Sequence, residues 1–349
     1  LTSDIDQIII NSENYEDVYA GLLFAKLVDK PADYVLDQES APELAVSLPK
    51  AYRRVLLIEP RSGKQHPSMR QLLVNEGFSV ATLDKDNDIP LILAQNLPIE
   101  TLIITDERYP YNAVSLAPYA LQQEAYVLFA DTDNIEETAT LIEEQSLNLI
   151  TYGIIDTTIA QTLQQYNPTI IDKGGKFDNN LYVVKEFLKK EPVKQVIVTN
   201  GEFIEQGLID DFNPILFIGQ SNVPLQVEEF LAETDITHCV VVGNNLANTA
   251  KQLKDQLAAA HDKDISFIIR FAKSPRVQDE RFSLPSSLDY FQLPLITPQI
   301  NISRIAYNRL TGQLEVTYNN PSSITVFYLP SHELDNGEEE LQLTDEEAQ

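Results

Sequence analysis

Three stretches decide the fold: Gln7-Ile8-Ile9-Ile10, Thr101-Leu102-Ile103-Ile104 and Gln195-Val196-Ile197-Val198. Each is a polar residue followed by a short apolar run rich in Ile, Val and Leu, as suits a parallel strand covered on both faces. The first and second begin 94 positions apart (101 − 7), and so do the second and third (195 − 101). An equal step taken twice marks an internal repeat.

The match extends outward from these strands. Segments of helical period follow at 15–28, 109–122 and 203–212, then second strands at Tyr34-Val35-Leu36, Tyr126-Val127-Leu128 and Ile215-Leu216-Phe217. Helices are expected at 41–48, 135–145 and 224–233, and third strands at Val55-Leu56-Leu57-Ile58, Leu147-Asn148-Leu149-Ile150 and Cys239-Val240-Val241-Val242. Helices at 67–76, 157–165 and 246–259 lead to fourth strands at Val80-Ala81-Thr82, Thr169-Ile170-Ile171 and Phe267-Ile268-Ile269. Each unit reads βαβαβαβ, a small doubly wound parallel sheet with right-handed crossovers. Helices at 89–96 and 179–190 join the units. The fold class is therefore α/β, with three tandem flavodoxin-like units at 1–88, 89–178 and 179–274, related by a rotation. A β-rich segment with an acidic tail, 275–349, completes the chain.

The pattern changes after Arg270. Pro275, Pro285, Pro294 and Pro298 interrupt any helix. Alternating residues then predict strands over 302–307, 313–318 and 323–329, with a tight turn at Thr311-Gly312. Beyond His332 acidic residues dominate, and that stretch reads as an unstructured tail.

Net charge is −28. Such a surface repels nucleic acid and anionic membranes. No run of apolar residues is long enough to span a bilayer, so direct membrane insertion is not expected. The chain opens on Leu1 rather than Met, which fits a mature secreted chain or a fragment. Cys239 is the single cysteine and sits in an apolar strand, the setting of an inert buried thiol.

The residues give no sign of an active site. The loops after the first strands, Asn11-Ser12-Glu13-Asn14, Thr105-Asp106-Glu107-Arg108 and Thr199-Asn200-Gly201-Glu202, lack a Gly-rich phosphate cradle and its lysine. His66, His238, His261 and His332 lie far apart, without zinc-ligand spacing. No nucleophile-elbow motif occurs. Asp84-Lys85-Asp86-Asn87-Asp88 has the look of a calcium loop but lacks its Gly and its terminal Glu. It reads as a cap for the helix that follows. No cofactor is expected, and calcium is the single candidate ligand. Asn301-Ile302-Ser303 is an N-glycosylation pattern, with Asn301 as acceptor.

The aligned units resemble the cell wall-binding repeat 2 family, which occurs in tandem threes on bacterial and archaeal surface proteins. The resemblance is carried by Asn14-Tyr15-Glu16-Asp17-Val18-Tyr19-Ala20-Gly21 and Lys30-Pro31-Ala32-Asp33-Tyr34-Val35-Leu36 in the first unit. Gly201-Glu202-Phe203 and Asn213-Pro214-Ile215-Leu216-Phe217 carry it in the third, with the Gly-rich lead-in from Gly174 to Val184. It covers roughly 4–270. The family's glycine after the third strand is present as Gly153 and Gly243 but is replaced by Glu59-Pro60 in the first unit.

The resemblance implies a pseudo-threefold triangular arrangement and the binding of an anionic wall polymer, a task for cationic groups. The candidate ligand-binding residues are Arg53, Arg54 and Arg108, with Asn14, Asp17 and Asn200 in the strand-end loops. The expected function is a non-catalytic, extracellular, cell-surface structural protein of surface-layer type. Its expected partners are an envelope glycan or polymer and further copies of itself. A wall-glycan anchor and a sugar- or nucleotide-handling enzyme on an α/β scaffold are the alternatives.

Overall fold

The first unit runs β1 (Gln7–Ile10), α1 (Tyr15–Leu27), β2 (Ala32–Tyr34), α2 (Ala41–Ser47), β3 (Arg54–Pro60), α3 (Met69–Asn75) and β4 (Ser79–Lys85). Helix α4 (Ile89–Gln95) leads to β5 (Thr101–Asp106), α5 (Tyr111–Gln122), β6 (Ala125–Ala130), α6 (Ile135–Gln145), β7 (Asn148–Tyr152), α7 (Thr157–Leu163) and β8 (Thr169–Ile171). Helix α8 (Lys176–Lys190) leads to β9 (Gln195–Thr199), β10 (Phe203–Glu205), α9 (Gln206–Asp210), β11 (Ile215–Phe217), α10 (Leu225–Glu233), β12 (His238–Val242), α11 (Ala247–His261) and β13 (Ser266–Arg270). Short strands follow: β14 (Tyr290–Gln292), β15 (Asn301–Asn308), β16 (Gln313–Asn319), β17 (Ser331–Asp335) and β18 (Glu338–Gln342). The structure, a computed structural model, describes residues 4–85, 88–210, 212–270, 290–294, 301–308, 313–319, 331–335 and 338–342.

The three units form three separate four-stranded parallel sheets, ordered β2-β1-β3-β4, β6-β5-β7-β8 and β11-β9-β12-β13. One permutation is used three times. The strands that begin at 7, 101 and 195 each stand second in their own sheet, as the equal spacing requires.

Two helices explain how the sheets come together. In α1 every residue from Asp17 to Ala25 is buried, and in α5 so are Asn112 to Pro118. Helices buried on nearly all sides belong to an interior rather than a surface. Helices α1, α5 and α9 pack on one another. Around them one apolar core gathers residues of all three units, such as Ile10, Ile103, Leu116 and Ile209. Each of these buried aliphatic side chains contributes about 1.5–3 kcal/mol relative to exposure. Gly21 lets α1 press onto its sheet, since a Cβ there would stand 2.6 Å from Ile10 Cγ1. Separate outer cores lie on the far sheet faces, around Leu57, Met69 and Leu73 in the first unit and around Val241, Leu253 and Leu257 in the third.

The ring closes from third unit to first. Gln206 Nε2 donates to the Ala32 carbonyl at 2.8 Å, and the Tyr34 hydroxyl donates to the Ile204 carbonyl at 3.4 Å. Phe291 of β14 meets the Tyr34 ring edge-on at 6.3 Å.

Four expectations change. The stretch 203–212 is not one helix: Phe203–Glu205 is a strand and only Gln206–Asp210 is helical. Its three strand residues are all buried and pair antiparallel with β14, a partner far along the chain. The second strand of the first unit starts at Ala32 rather than Tyr34, because β1 draws in Ala32, Asp33 and Tyr34 as its register partners. The acidic stretch beyond His332 contains the antiparallel pair β17–β18. Strands β15 and β16 fall where alternation placed them. The strand expected at 323–329 and the turn at Thr311-Gly312 lie outside the described residues. Helix α8 starts at Lys176, ahead of the boundary at 179.

Candidate functional site

In a parallel sheet of this order, ligands sit outside the carboxyl ends of the first and third strands of the unit, where the winding direction reverses. At these strand ends the chain's own side chains bond to one another or to its main chain. In the first unit Asn11, just after β1, donates to Glu59 Oε2 at 2.8 Å and to the His66 carbonyl at 2.9 Å, and accepts from the His66 N–H at 2.8 Å. Lys64 closes the network on Glu59 at 2.6 Å. In the second unit Asp106, at the end of β5, is buried and takes a two-pronged contact from Arg108, at 2.8 and 2.6 Å. It also accepts the Asp156 N–H at 2.9 Å. In the third unit the Lys176 ammonium reaches over from α8 to the Asn200 carbonyl at 2.8 Å.

An open concavity extends from these strand ends in the first unit, where Ser12, Pro60, Ser62 and Gly63 line it, to the junction of the first and second units. It is a cleft of about 640 Å³ between the start of α1, the start of α4 and the end of β6. Seven carboxylates line it: Glu13, Glu16, Asp17, Asp88, Asp131, Asp133 and Glu137. Among the described residues no Lys or Arg lines it.

Local sequence places these groups. Asn14 caps α1 by accepting the Glu16 N–H, which sets Glu16 and Asp17 in the first turn, where the helix dipole favours acids. Asp88 caps α4 by accepting the Leu91 N–H from a left-handed backbone conformation, φ 44°. Its second oxygen is buried without a hydrogen-bond partner. Asp131 orders the turn into α6 by accepting the N–H groups of Asp133 and Asn134, at 2.6 and 2.7 Å.

Burial and like charge raise the proton affinity of the cleft. Burial pushes Glu16 up to about 7, against a weaker downward pull from its hydrogen bond with Tyr15. Burial raises Asp17 to about 6, opposed by the Ser12 hydroxyl that donates to it at 2.6 Å. Asp88 is raised as well, first by burial and then by Asp131 and Glu137. Glu107, at the rim, is raised for the same reasons. Even so, no group of three His, Cys, Asp or Glu side chains among the described residues is arranged to hold a metal ion.

The candidate residues are dispersed. Asn14 and Asp17 share the cleft. Arg53 and Arg54 stand at the other end of the same sheet, where Asp6 accepts both their backbone N–H groups, at 3.0 and 2.9 Å. The Arg54 guanidinium pairs with Asp6 at 2.9 Å and with Asp4 at 3.3 Å. Arg108 is held by Asp106 and Asp156. Asn200 is buried, with its side-chain NH₂ unpartnered. Asn301 opens β15. Of the segment 84–88, Asp88 is the helix cap and Asp86 and Asn87 lie outside the described residues.

The junction of the second and third units has the same frame and different chemistry. Lys176 lies over the rings of Tyr111, Phe217 and Phe177, at 4.7, 5.3 and 5.8 Å from their centroids. Gly201 passes beneath, where a Cβ would stand 2.7 Å from Phe217 Cζ. Asn180 of α8 donates to the Ile215 carbonyl at 2.7 Å and accepts the Phe217 N–H at 2.8 Å, so a buried side chain completes the edge of β11.

No family model matches the chain, and no curated protein matches it. Among solved structures it is similar to Cwp6 from Clostridium difficile, with a TM-score of 0.56 and 14% identity over 75% of this chain and 44% of that one. It is similar also to Cwp8 from Clostridium difficile, with a TM-score of 0.58 and 14% identity over 72% of this chain and 47% of that one. The chain thus spans less than half the length of either. At this identity the likeness is one of fold.

Proposed function

We propose that this chain is a non-catalytic structural module of a cell envelope, a three-unit platform of surface-layer type. The observation that carries the reading is the state of the three strand-end crevices. At those strand ends Asn11–Glu59–Lys64, Asp106–Arg108–Asp156 and Lys176–Asn200 bond to one another, and the cleft that opens beside the first unit's network is lined by carboxylates, which repel a phosphate or nucleotide. The fold likeness to Cwp6 and Cwp8, cell wall proteins, agrees with an envelope setting, as does the resemblance of the units to cell wall-binding repeat 2. Among the described residues no helix is long and apolar enough to cross a membrane.

The test is assembly. Purified protein imaged by electron microscopy across monovalent salt, with and without calcium at matched ionic strength, should give ordered sheets or tubes. A second reading, a wall-glycan anchor, would show as co-sedimentation of monomers with purified wall material. Turnover of a sugar nucleotide would overturn both readings. An anionic polymer would have to avoid the acidic cleft, so on the anchor reading binding would run through the exposed Arg53–Arg54 end of the first sheet.

A further inference from the structure

The cleft between the first and second units holds an arrangement that its net charge alone does not explain. The Tyr15 hydroxyl stands 2.8 Å from the Glu107 carbonyl of the second unit and 3.1 Å from Glu16 Oε1 of its own helix. A phenol has one proton to donate and faces two acceptors. If Glu16 is ionised, its carboxylate competes with the Glu107 carbonyl for that single proton. If Glu16 is protonated, its own O–H donates to Tyr15 Oη, and the phenolic proton is free to go to Glu107. We infer that Glu16 and Tyr15 form a proton-operated latch, in which a neutral Glu16 completes a relay from α1 through Tyr15 to the backbone of the second unit.

The surroundings favour the neutral form. On α1 itself Asp17 is the next residue. Across the cleft stand Asp88 from the head of α4, Asp131 and Asp133 after β6, Glu137 of α6, and Glu107 with Asp106 in the loop leading to α5, while Glu13, in the loop after β1, is exposed to solvent. Arg108 is the one cation near Glu107 among the described residues, and it is committed to Asp106 and Asp156. Strand β2 and helices α5 and α9 meet α1 in the shared apolar core, with Ala32, Val114 and Leu208 among its members, and β6 brings in Phe129 and the buried Tyr126. Phe129 packs edge-on against Tyr15 at 5.4 Å, which keeps water from one side of the phenol. Burial and the neighbouring carboxylates raise Tyr15 above its ordinary range, so it stays a donor at every relevant pH.

The direction of the effect follows from linkage. Glu16 rises from 4.5 in the free state to about 7 in the folded protein. Its stabilising contribution is complete below the unfolded value and is lost as pH climbs through the folded one. The junction therefore tightens in mild acid and loosens between about pH 5 and 8. Asp17 acts in the same direction, nearer pH 6.

The experiment is a set of thermal melts from pH 5 to pH 8 at fixed ionic strength. Wild type should lose about 5 °C across that range. Glu16→Gln supplies an amide donor to Tyr15 at every pH, so it should lose less than half as much and should be the more stable protein at pH 8. Glu13→Gln, an exposed carboxylate on the same cleft, should keep the wild-type slope. Tyr15→Phe should melt below wild type at pH 5, where the relay is complete. A wild-type slope in Glu16→Gln, or a Tyr15→Phe protein as stable as wild type at pH 5, overturns the latch.

Discussion

At the first junction α1 and α4 lie on β6, and at the second α5 and α8 lie on β11. The frames match, down to a phenylalanine at the equivalent strand end, Phe129 in one and Phe217 in the other. What fills the frames differs. The first junction gathers acids around a cleft and uses a neutral phenol to cross it. The second places an ammonium among three aromatic rings and lets a buried amide stand in for a missing strand. Topology thus fixes where the units touch, and the residues at the helix starts fix whether that contact responds to pH or is indifferent to it.

The strongest way to break this comparison is Asn180→Ala. It strips partners from the Ile215 carbonyl and the Phe217 N–H at once, two buried main-chain groups. A loss of about 3 kcal/mol in denaturant-measured stability is expected. A loss below about 1 kcal/mol would mean that the amide does not act as the edge of β11.

Gly201→Ala comes next, at about 2 kcal/mol. The residue sits at φ +79° and any Cβ meets the Phe217 ring, so both strain and overpacking count against it. An unchanged melting temperature would show that Phe217 moves aside freely.

Lys176→Met should cost about 1 kcal/mol, the scale of a partly exposed cation–π contact with a hydrogen bond beside it. Because the rings are uncharged, the share of the loss that they account for should be the same in low and high salt. A loss that vanishes in salt would reassign Lys176 to ordinary surface pairing.

The smallest effect sharpens the contrast from the other side. Monovalent salt should raise the melting temperature of wild type by about 2 °C, since screening relieves repulsion across the acidic cleft. In Glu16→Gln the rise should shrink. An equal rise in both proteins would place the repulsion on the general surface instead.

Much of the fold can be read from the chain because its signal is local. The apolar runs at 7, 101 and 195 and the helical segments between them name the parallel sheets without any tertiary knowledge. Phe203–Glu205 escaped that reading because its partner, Tyr290–Gln292, is remote in sequence. A three-residue strand has too little period of its own to stand out. The cleft is a harder case. Asn14 and Asp17 could be singled out, and Asp88 could be read as a cap, but Glu16, Asp131 and Glu137 look like solvated acids until the ring brings three helix starts and a strand end together. One signal was available in the alignment of the units. Asp131-Thr132-Asp133-Asn134 follows β6, whereas Gly219-Gln220-Ser221-Asn222 follows β11. The arginines misdirect for a related reason: sequence gives Arg53 and Arg54 their charge, but only register shows that Asp6 sits beside them.

The contact that runs from Gln206 to Ala32 has a mechanical meaning. In a linear string of three units, each pair separates independently, and a pull on the chain opens them one after another. Here the third unit holds the first, so a break at any one junction leaves its two faces tethered by the remaining two. The separated faces stay at millimolar effective concentration and re-form before the others yield. On the latch reading, loosening one junction by a change of pH softens the triangle without dismantling it.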